Sequence, residues 1–388
     1  MHVKRSELRL FFHRMILFLI PLGLLLGGVN GIVDPAELFL RRHFSRPIAR
    51  ALIQGNNVKV PYIPEEWGLL QFELVKLLCE KRSTTLDLTV WGTSRSSELT
   101  GDMFPRKPSF LNHVLHGGSV LDYVALYGHY MHYHKLPRAI IISVDPWSFC
   151  ARTPLTIDGK TYWLPDPLTP LQVSTGLERP YNQGMALLGC SPRPQDFVPA
   201  SNRLAIAWAL FSPSYFQAAI RSLGMTGLEI TKSTYSKQGF VIRTDGSHSL
   251  KQSSEVNPEE VAALALEYSS VARGRLLTKD VLLRPYLLLF EKLISRLKVD
   301  GARVILYISP LHATVYDAVS VHDGNSLEAY LMRVARSEGV SLIGSFDPHK
   351  YNLSAKRPFF LDYYHPTNPA VEIILEHHKN SLQGLGSH

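Results

Sequence analysis

Two short stretches of this chain carry the residue types that nucleophilic acyl chemistry needs. In Leu86–Leu99, LDLTVWGTSRSSEL, an apolar segment runs into Gly92 and then into a cluster of hydroxyls, Thr93, Ser94, Ser96 and Ser97. The other stretch is Asp362-Tyr363-Tyr364-His365. A serine hydroxyl is a weak nucleophile and needs an adjacent base. An aspartate three residues before a histidine in a tight loop can hold one imidazole nitrogen while the other accepts that proton. On residue type alone, Ser94, Ser96 and Ser97 stand equal as the nucleophile. The D-x-x-H spacing recurs at Asp245-Gly246-Ser247-His248, but there it lies in a polar stretch and Asp-Gly reads as a turn. His248 is therefore expected to lie remote from the serines.

The elements that must position these groups are legible as buried strands alternating with helices. Leu86, Leu88 and Val90 form a short strand ending at Gly92, so the hydroxyls fall at the carboxyl end of a strand, where open α/β sheets place their chemistry. Arg138–Val144 (RAIIISV) and Arg303–Ile308 (RVILYI) are apolar without alternation, as strands buried on both faces are. Val340–Phe346 completes the set. Helical periodicity marks 117–134, 286–298 and 327–338, and Asn-Pro pairs at Asn257-Pro258 and Asn368-Pro369 are helix starts. This order argues for an α/β fold, a mostly parallel sheet with helices on both faces. Asp145, directly after the strand ending at Val144, is a candidate substrate contact, as is Arg95 beside Ser94. Gly117-Gly118 either bring a backbone N–H close to a substrate oxygen or turn the chain before the next helix.

The bulk properties narrow the setting. With 45% hydrophobic and 19% charged residues the chain is globular, and its net charge of +8 is scattered without a basic run or aromatic-interleaved stripe, which argues against nucleic acid. Three cysteines fit no metal spacing, and His129, His132 and His134 face different ways around a helix end, so neither metal nor cofactor is expected. Met15–Val33 carries no charge and one polar side chain, Asn30, and nearly matches the thickness of a hydrocarbon core. It exceeds the usual apolar core of a cleaved signal and lacks a small-residue cleavage site, so it reads as a single membrane anchor. Basic residues are nearly balanced on its two sides, and a short tail beside a long domain favours tail in and domain out. The expected organisation is a cytoplasmic tail at 1–14, the anchor at 15–33, a juxtamembrane connector at 34–81, and one domain at 82–388. A proline-rich insertion interrupts that domain at about 146–256, with nine prolines between Pro146 and Pro199.

Taken together, Gly92-Thr93-Ser94 after the first strand, Asn112 with Gly117-Gly118 as a second block, and Asp362-x-x-His365 before the last helix resemble the SGNH (GDSL-like) hydrolase superfamily. The resemblance is to its branch of membrane-anchored acyl-transfer proteins, which includes the D-alanyl transfer protein of lipoteichoic acid synthesis and the proteins that acylate exported polysaccharides. It covers roughly Leu86 to Leu382. It implies a flavodoxin-like three-layer α/β/α fold, Ser94 as nucleophile, His365 as base, Asp362 as its orienter, and an oxyanion hole near Ser94, Gly117 and Gly118, with Asn112 near the substrate. It also implies an extracytoplasmic location at the cell membrane, an envelope glycan or exopolysaccharide as acceptor, and a multispanning membrane O-acyltransferase as partner. One departure stands out. Asp145 occupies the place where the family pattern has an asparagine, and a carboxylate donates no hydrogen bond unless protonated. Losing such a donor costs about 10² to 10³ in rate in studied hydrolases, which suits a slow transferase better than a fast esterase. The expected activity is therefore O-acyl transfer, of acetyl groups first among acyls, with an esterase of envelope glycans or a non-catalytic scaffold for a membrane acyltransferase as alternatives.

Overall fold

The computed structural model describes residues 5–33, 45–60, 68–81, 85–116, 118–149, 155–157, 160–162, 178–190, 211, 216–217, 220, 229–235, 240–249, 253–272, 284–319, 327–354 and 357–385. Asn57–Val60 is strand β1; Leu88–Gly92, Phe110–Val114 and Ala139–Ser143 are β2, β3 and β4. A short hairpin, β5 and β6, spans Leu155–Ile157 and Lys160–Tyr162. Glu229–Thr231, Phe240–Ile242 and His248–Ser249 are β7, β8 and β9, and Arg303–Ile308 and Ser341–Gly344 are β10 and β11.

β11, β10, β4, β2 and β3 form, in that order, one wholly parallel sheet. Counted along the chain its strands run 2-1-3-4-5, an order of doubly wound sheets, with the switch point between β2 and β4. The sheet is apolar on both faces because both are covered. Trp91, Ile140, Ile142, Val304 and Leu306 pack with the helices Val120–His132 and Arg284–Val299. Leu88, Val90, Ile141, Ile305 and Ile343 pack with the helix Asn368–His377 through Val371, Ile374 and Leu375. Each such aliphatic side chain stabilises the fold by about 1.5–3 kcal/mol on burial. This is why the strands read as continuous apolar runs. β3 escapes that reading because Asn112 and His113 interrupt it. Both polar side chains are nonetheless satisfied inside the protein: Asn112 Nδ2 donates to the carbonyls of Ser96 and Leu99, and His113 bonds Gln71 and Tyr130.

The described part of the stretch expected as a connector, 45–60 and 68–81, is folded, and it includes the helical spacing that Phe72, Val75, Leu77 and Leu78 show in the sequence. It holds the helices Ser45–Ile53 and Gly68–Lys81, and β1 pairs antiparallel with both β7 and β8 in a second sheet of order β7-β1-β8-β9. Ile48, Leu52, Val58, Leu70, Leu74 and Ile242 form its core. Thus residues before β2 are joined to the far end of the proline-rich insertion. Pairing partners 170 to 184 residues apart leave no local mark in the sequence. The sequence also reads as helical over 202–210 and from the cap-and-proline pair Ser212-Pro213, and both stretches lie largely outside the described residues.

At the N-terminus a helix runs Arg5–Val33, and His13–Ile32 within it, with mean hydropathy 2.1, is long and apolar enough to cross a membrane. At 1.5 Å per residue its 20 residues span about 30 Å. Gly27 brings the backbone of this helix close to the ring of Phe211, where an added Cβ would stand 3.3 Å from a ring carbon.

Candidate active site

β2 ends at Gly92, and a single 3-10 turn, Ser94–Ser96, follows at once. Thr93 caps it by accepting a hydrogen bond from the Arg95 N–H at 3.2 Å. Gly92 is required by close packing: a Cβ there would come within 2.9 Å of the Ser143 Cβ on β4. Within Trp91–Leu99 only Ser94 is not buried. That selects it among the three serines, since Ser96 Oγ donates to the Thr93 carbonyl and Ser97 is buried.

The tight loop before the last helix supplies the base. His365 Nε2 lies 2.8 Å from Ser94 Oγ, and Nδ1 lies 2.7 Å from Asp362 Oδ2. Asp362 Oδ1 accepts the backbone N–H groups of Tyr364 and His365, each at 2.9 Å, so the loop closes on its own carboxylate. Burial alone would raise the Asp362 carboxyl, but the charge and hydrogen bond of His365 and the two backbone donors outweigh it and hold the group below the ordinary carboxylate range. An ionised Asp362 fixes the imidazole with its proton on Nδ1, which leaves Nε2 to accept from Ser94. Tyr364 and Trp147 stand edge to face near this pair, and Tyr268 stacks on Tyr363 with ring centroids 4.1 Å apart.

Compared with known proteins, the chain matches no family model and no curated sequence. Its chemistry must be read from this geometry.

Three residues expected to face substrate do not. Arg95 is 1% exposed and all three nitrogens of its guanidinium are engaged: Nε donates to the Tyr364 carbonyl at 3.0 Å, Nη1 to Asp145 Oδ1 at 2.8 Å, and Nη2 to the carbonyls of Ser309 and Pro310 at 2.6 and 2.7 Å. Asp145 is 0% exposed, and its other oxygen accepts from Thr93 Oγ1. Asn112 holds the turn through Ser96 and Leu99, as described above. The physical reason is common to all three. A buried charge or amide must be paired, and here the available partners are the ends of β2, β4 and β10. Arg95 thereby ties the nucleophile turn to the loop that carries His365, a role invisible in its neighbours in sequence. The Ser-Pro pair directly after β10 was the one local hint, since strand ends present carbonyls there.

The expected oxyanion donors also need correction. The Gly118 N–H is taken by the Leu115 carbonyl at 2.9 Å, closing a turn after β3, so it is not directed at substrate. Gly117 lies outside the described residues. The Ser94 N–H opens the 3-10 turn, and among the described residues no protein acceptor engages it. Nor is His248 remote. It sits on β9, its backbone N–H donates to the Ser97 carbonyl at 2.9 Å, and its ring stacks on His116. The Asp245-Gly246 turn forms as expected, with Gly246 at φ +76°, but the small sheet carries it against the chain that follows the nucleophile turn: Asp245 Oδ2 accepts the Gly101 N–H.

Buried imidazoles set the acid stability. Burial, with lesser contributions from His129 and His365 respectively, lowers His113 and His116 from 6.5 to about 3, and burial pushes His248 well down too. Between pH 6.5 and 3 the unfolded chain binds protons that the folded protein excludes, so stability is full above 6.5 and is lost as pH falls. Each imidazole contributes a slope of up to about 1.4 kcal/mol per pH unit. The urea midpoint of the detergent-solubilised protein is expected to drop steeply from pH 7 to pH 5, and His113→Gln is expected to flatten that slope. A midpoint independent of pH over this range would contradict neutral burial.

Proposed function

We propose that this protein is a membrane-anchored, extracytoplasmic O-acyltransferase of SGNH type, which moves an acyl group, acetyl first among them, onto an exported polysaccharide or another envelope glycan. The observation that carries the reading is the Ser94–His365–Asp362 chain of hydrogen bonds at the switch point of a parallel sheet. The parallel five-stranded sheet covered on both faces supports the three-layer α/β/α arrangement that the resemblance implies. The apolar N-terminal helix supports single-pass anchoring.

In the reaction, Ser94 Oγ attacks the carbonyl carbon of an activated acyl ester or thioester while its proton passes to His365 Nε2. The carbonyl π pair moves onto oxygen, and the Ser94 N–H meets that charge. Collapse breaks the bond to the leaving group, which departs with the proton from His365 and leaves an acyl-Ser94 ester. A glycan hydroxyl then gives its proton to His365 and attacks that ester, and collapse returns the proton to Ser94. Asp362 stays ionised throughout and stabilises the imidazolium.

Intact-mass analysis of the full chain after treatment with a serine-directed fluorophosphonate tests this reading. One adduct is expected, mapped to Ser94 and absent from unfolded protein. Folded protein that takes no adduct at Ser94 overturns the acyl-enzyme. Aryl-ester turnover with and without a glycan acceptor separates transfer from hydrolysis, and release to water as fast as to any sugar makes it an esterase.

A further inference from the structure

The turn that carries Ser94 is held from two sides. On one, Arg95 binds it to the residues that follow β4 and β10 and to the loop of His365. On the other lies the hairpin of β8 and β9, in which Val241 pairs with Ser249 and Ile242 with His248. Its connecting turn is closed by its own backbone, with the Arg243 N–H donating to the Ser247 carbonyl and the Gly246 N–H to the Arg243 carbonyl, each at 2.8 Å. That turn lies flush on β3: a Cβ on Gly246 would stand 2.5 Å from the Asn112 carbonyl oxygen.

A seam of backbone bonds joins the hairpin to the nucleophile loop and to β3. The His248 N–H donates to the Ser97 carbonyl at 2.9 Å, the Asp245 carbonyl accepts the Asn112 N–H at 2.7 Å, and Asp245 Oδ2 accepts the Gly101 N–H at 3.1 Å. The Ser97 N–H in turn donates to the Ser94 carbonyl at 3.2 Å. A displacement of the hairpin therefore reaches Ser94 through two hydrogen bonds.

Arg243 adds a charged link to this seam. Its side chain is 8% exposed and that of Glu98 2%, and Nη2 donates to Glu98 Oε2 at 2.9 Å across 145 residues of chain. Nη1 donates to Ser247 Oγ at 3.1 Å, which aims the guanidinium, and the guanidinium carbon lies 5.3 Å from the centroid of the Tyr235 ring. Glu98 follows Ser94 by four residues. An enclosed ion pair is a poor source of net stability, because desolvation of both charges offsets their attraction. What it supplies is position, since a guanidinium anchored through one nitrogen receives a carboxylate on the other in a fixed direction. Position is what Ser94 requires: its Oγ must keep within hydrogen-bond distance of His365 Nε2, 2.8 Å here, and a misplacement of about 1 Å costs about 10²-fold in rate.

We propose that Arg243 is a positioning residue for acyl transfer, which grips Glu98 from the small sheet and so holds the Ser94 turn in register with the His365 imidazole. The inference rests on the acyl-transfer reading of Ser94. Arg243 acts through Glu98 and not on the reacting atoms.

The test uses the full chain in detergent, with p-nitrophenyl acetate kinetics, the rate of fluorophosphonate adduct formation at Ser94 and the urea midpoint measured on each protein. Arg243→Met removes the counter-charge of Glu98, Arg243→Met/Glu98→Gln removes both charges, and Arg243→Lys keeps a cation without the fork. Arg243→Met is expected to lose about 10²-fold in kcat with KM within about twofold, and Arg243→Lys to recover about tenfold of that loss. In the double variant the urea midpoint is expected to return towards wild type while kcat and the labelling rate stay about 10²-fold down. A purely structural role predicts that activity returns with stability, so a double variant within about threefold of wild type in kcat overturns the inference. Arg243→Lys no faster than Arg243→Met overturns it too. Where Arg243→Met alone does not fold, the double variant carries the same decision. Wild-type protein that labels at Ser94 while all three variants label at the same rate defeats this inference alone. Wild-type protein that never labels defeats the acyl-enzyme reading, and this inference with it.

Discussion

Ser94→Ala is expected to lower acyl turnover by about 10⁵-fold or more, with the fold intact. Ser94 is partly exposed on an otherwise buried turn, and among the described residues the hydrogen bond of its Oγ is to the His365 imidazole. Loss of one oxygen there removes little packing and no structural hydrogen bond of the backbone. The melting temperature should therefore move by no more than a degree or two. His365→Ala should cost about as much, because nucleophile and base act as one unit, and the double variant should be no worse than either single one. Asp362→Asn should cost about 10⁴, since an amide in place of the carboxylate favours the wrong tautomer of His365. Transfer of a labelled acetyl group, measured beside circular dichroism melts of each variant, checks all of these. Turnover by Ser94→Ala within tenfold of wild type would assign the chemistry elsewhere and leave the protein as a binding scaffold.

Asp145→Asn is expected to destabilise the protein by about 3–5 kcal/mol, because it leaves the Arg95 guanidinium charged and buried without its counter-ion. The pair is wholly enclosed, with both side chains 0% exposed and N to O at 2.8 Å. Arg95→Met should cost a similar amount, by stranding the Asp145 carboxylate and the Ser309 and Pro310 carbonyls. The double variant Arg95→Met/Asp145→Asn should be markedly more stable than the sum of the two losses, since neither charge is then left buried without its counter-charge. Activity separates the two roles of Arg95. Even where stability recovers, the double variant lacks the Arg95 Nε to Tyr364 carbonyl bond beside His365. Its kcat should stay low with little change in KM. Urea denaturation and steady-state kinetics on the same four proteins form the cycle, and strictly additive stability losses would refute the ion-pair account.

Seen from this pair, Asp145 has a use that the sequence reading missed. The SGNH pattern that the sequence resembles has an asparagine at this position, and in the sequence the aspartate looked like a damaged oxyanion hole. In the fold it is the counter-charge of Arg95, and the cationic partner lies one residue past the nucleophile. Neither fact is available locally, because the two residues are fifty positions apart and meet only where β2 and β4 lie side by side. His248 shows the same limit in the other direction. Its Asp-Gly turn was legible, but its neighbourhood depended on β1, β7, β8 and β9 assembling into a sheet from two ends of the chain. β3 was illegible for a different reason: its polar residues are satisfied by partners that only the tertiary structure provides, so the apolar signal was broken.

The sequence by itself determined what short-range covalent geometry and continuous burial determine. Three residues of chain are enough to bring Asp362 onto the His365 imidazole. Uninterrupted apolar runs announced β4 and β10 as strands covered on both faces, and the N-terminal apolar stretch announced a helix of membrane length. The resemblance pointed to Ser94 among the three serines, but its meeting with the base is tertiary, since Ser94 Oγ and His365 Nε2 are joined across 271 residues by the parallel order of the sheet. It also decided that Arg95, Asp145 and Asn112 face inward. Burial leaves a polar group no water to bond with, so the partner it finds is set by the packing of distant strand ends, which no local pattern encodes.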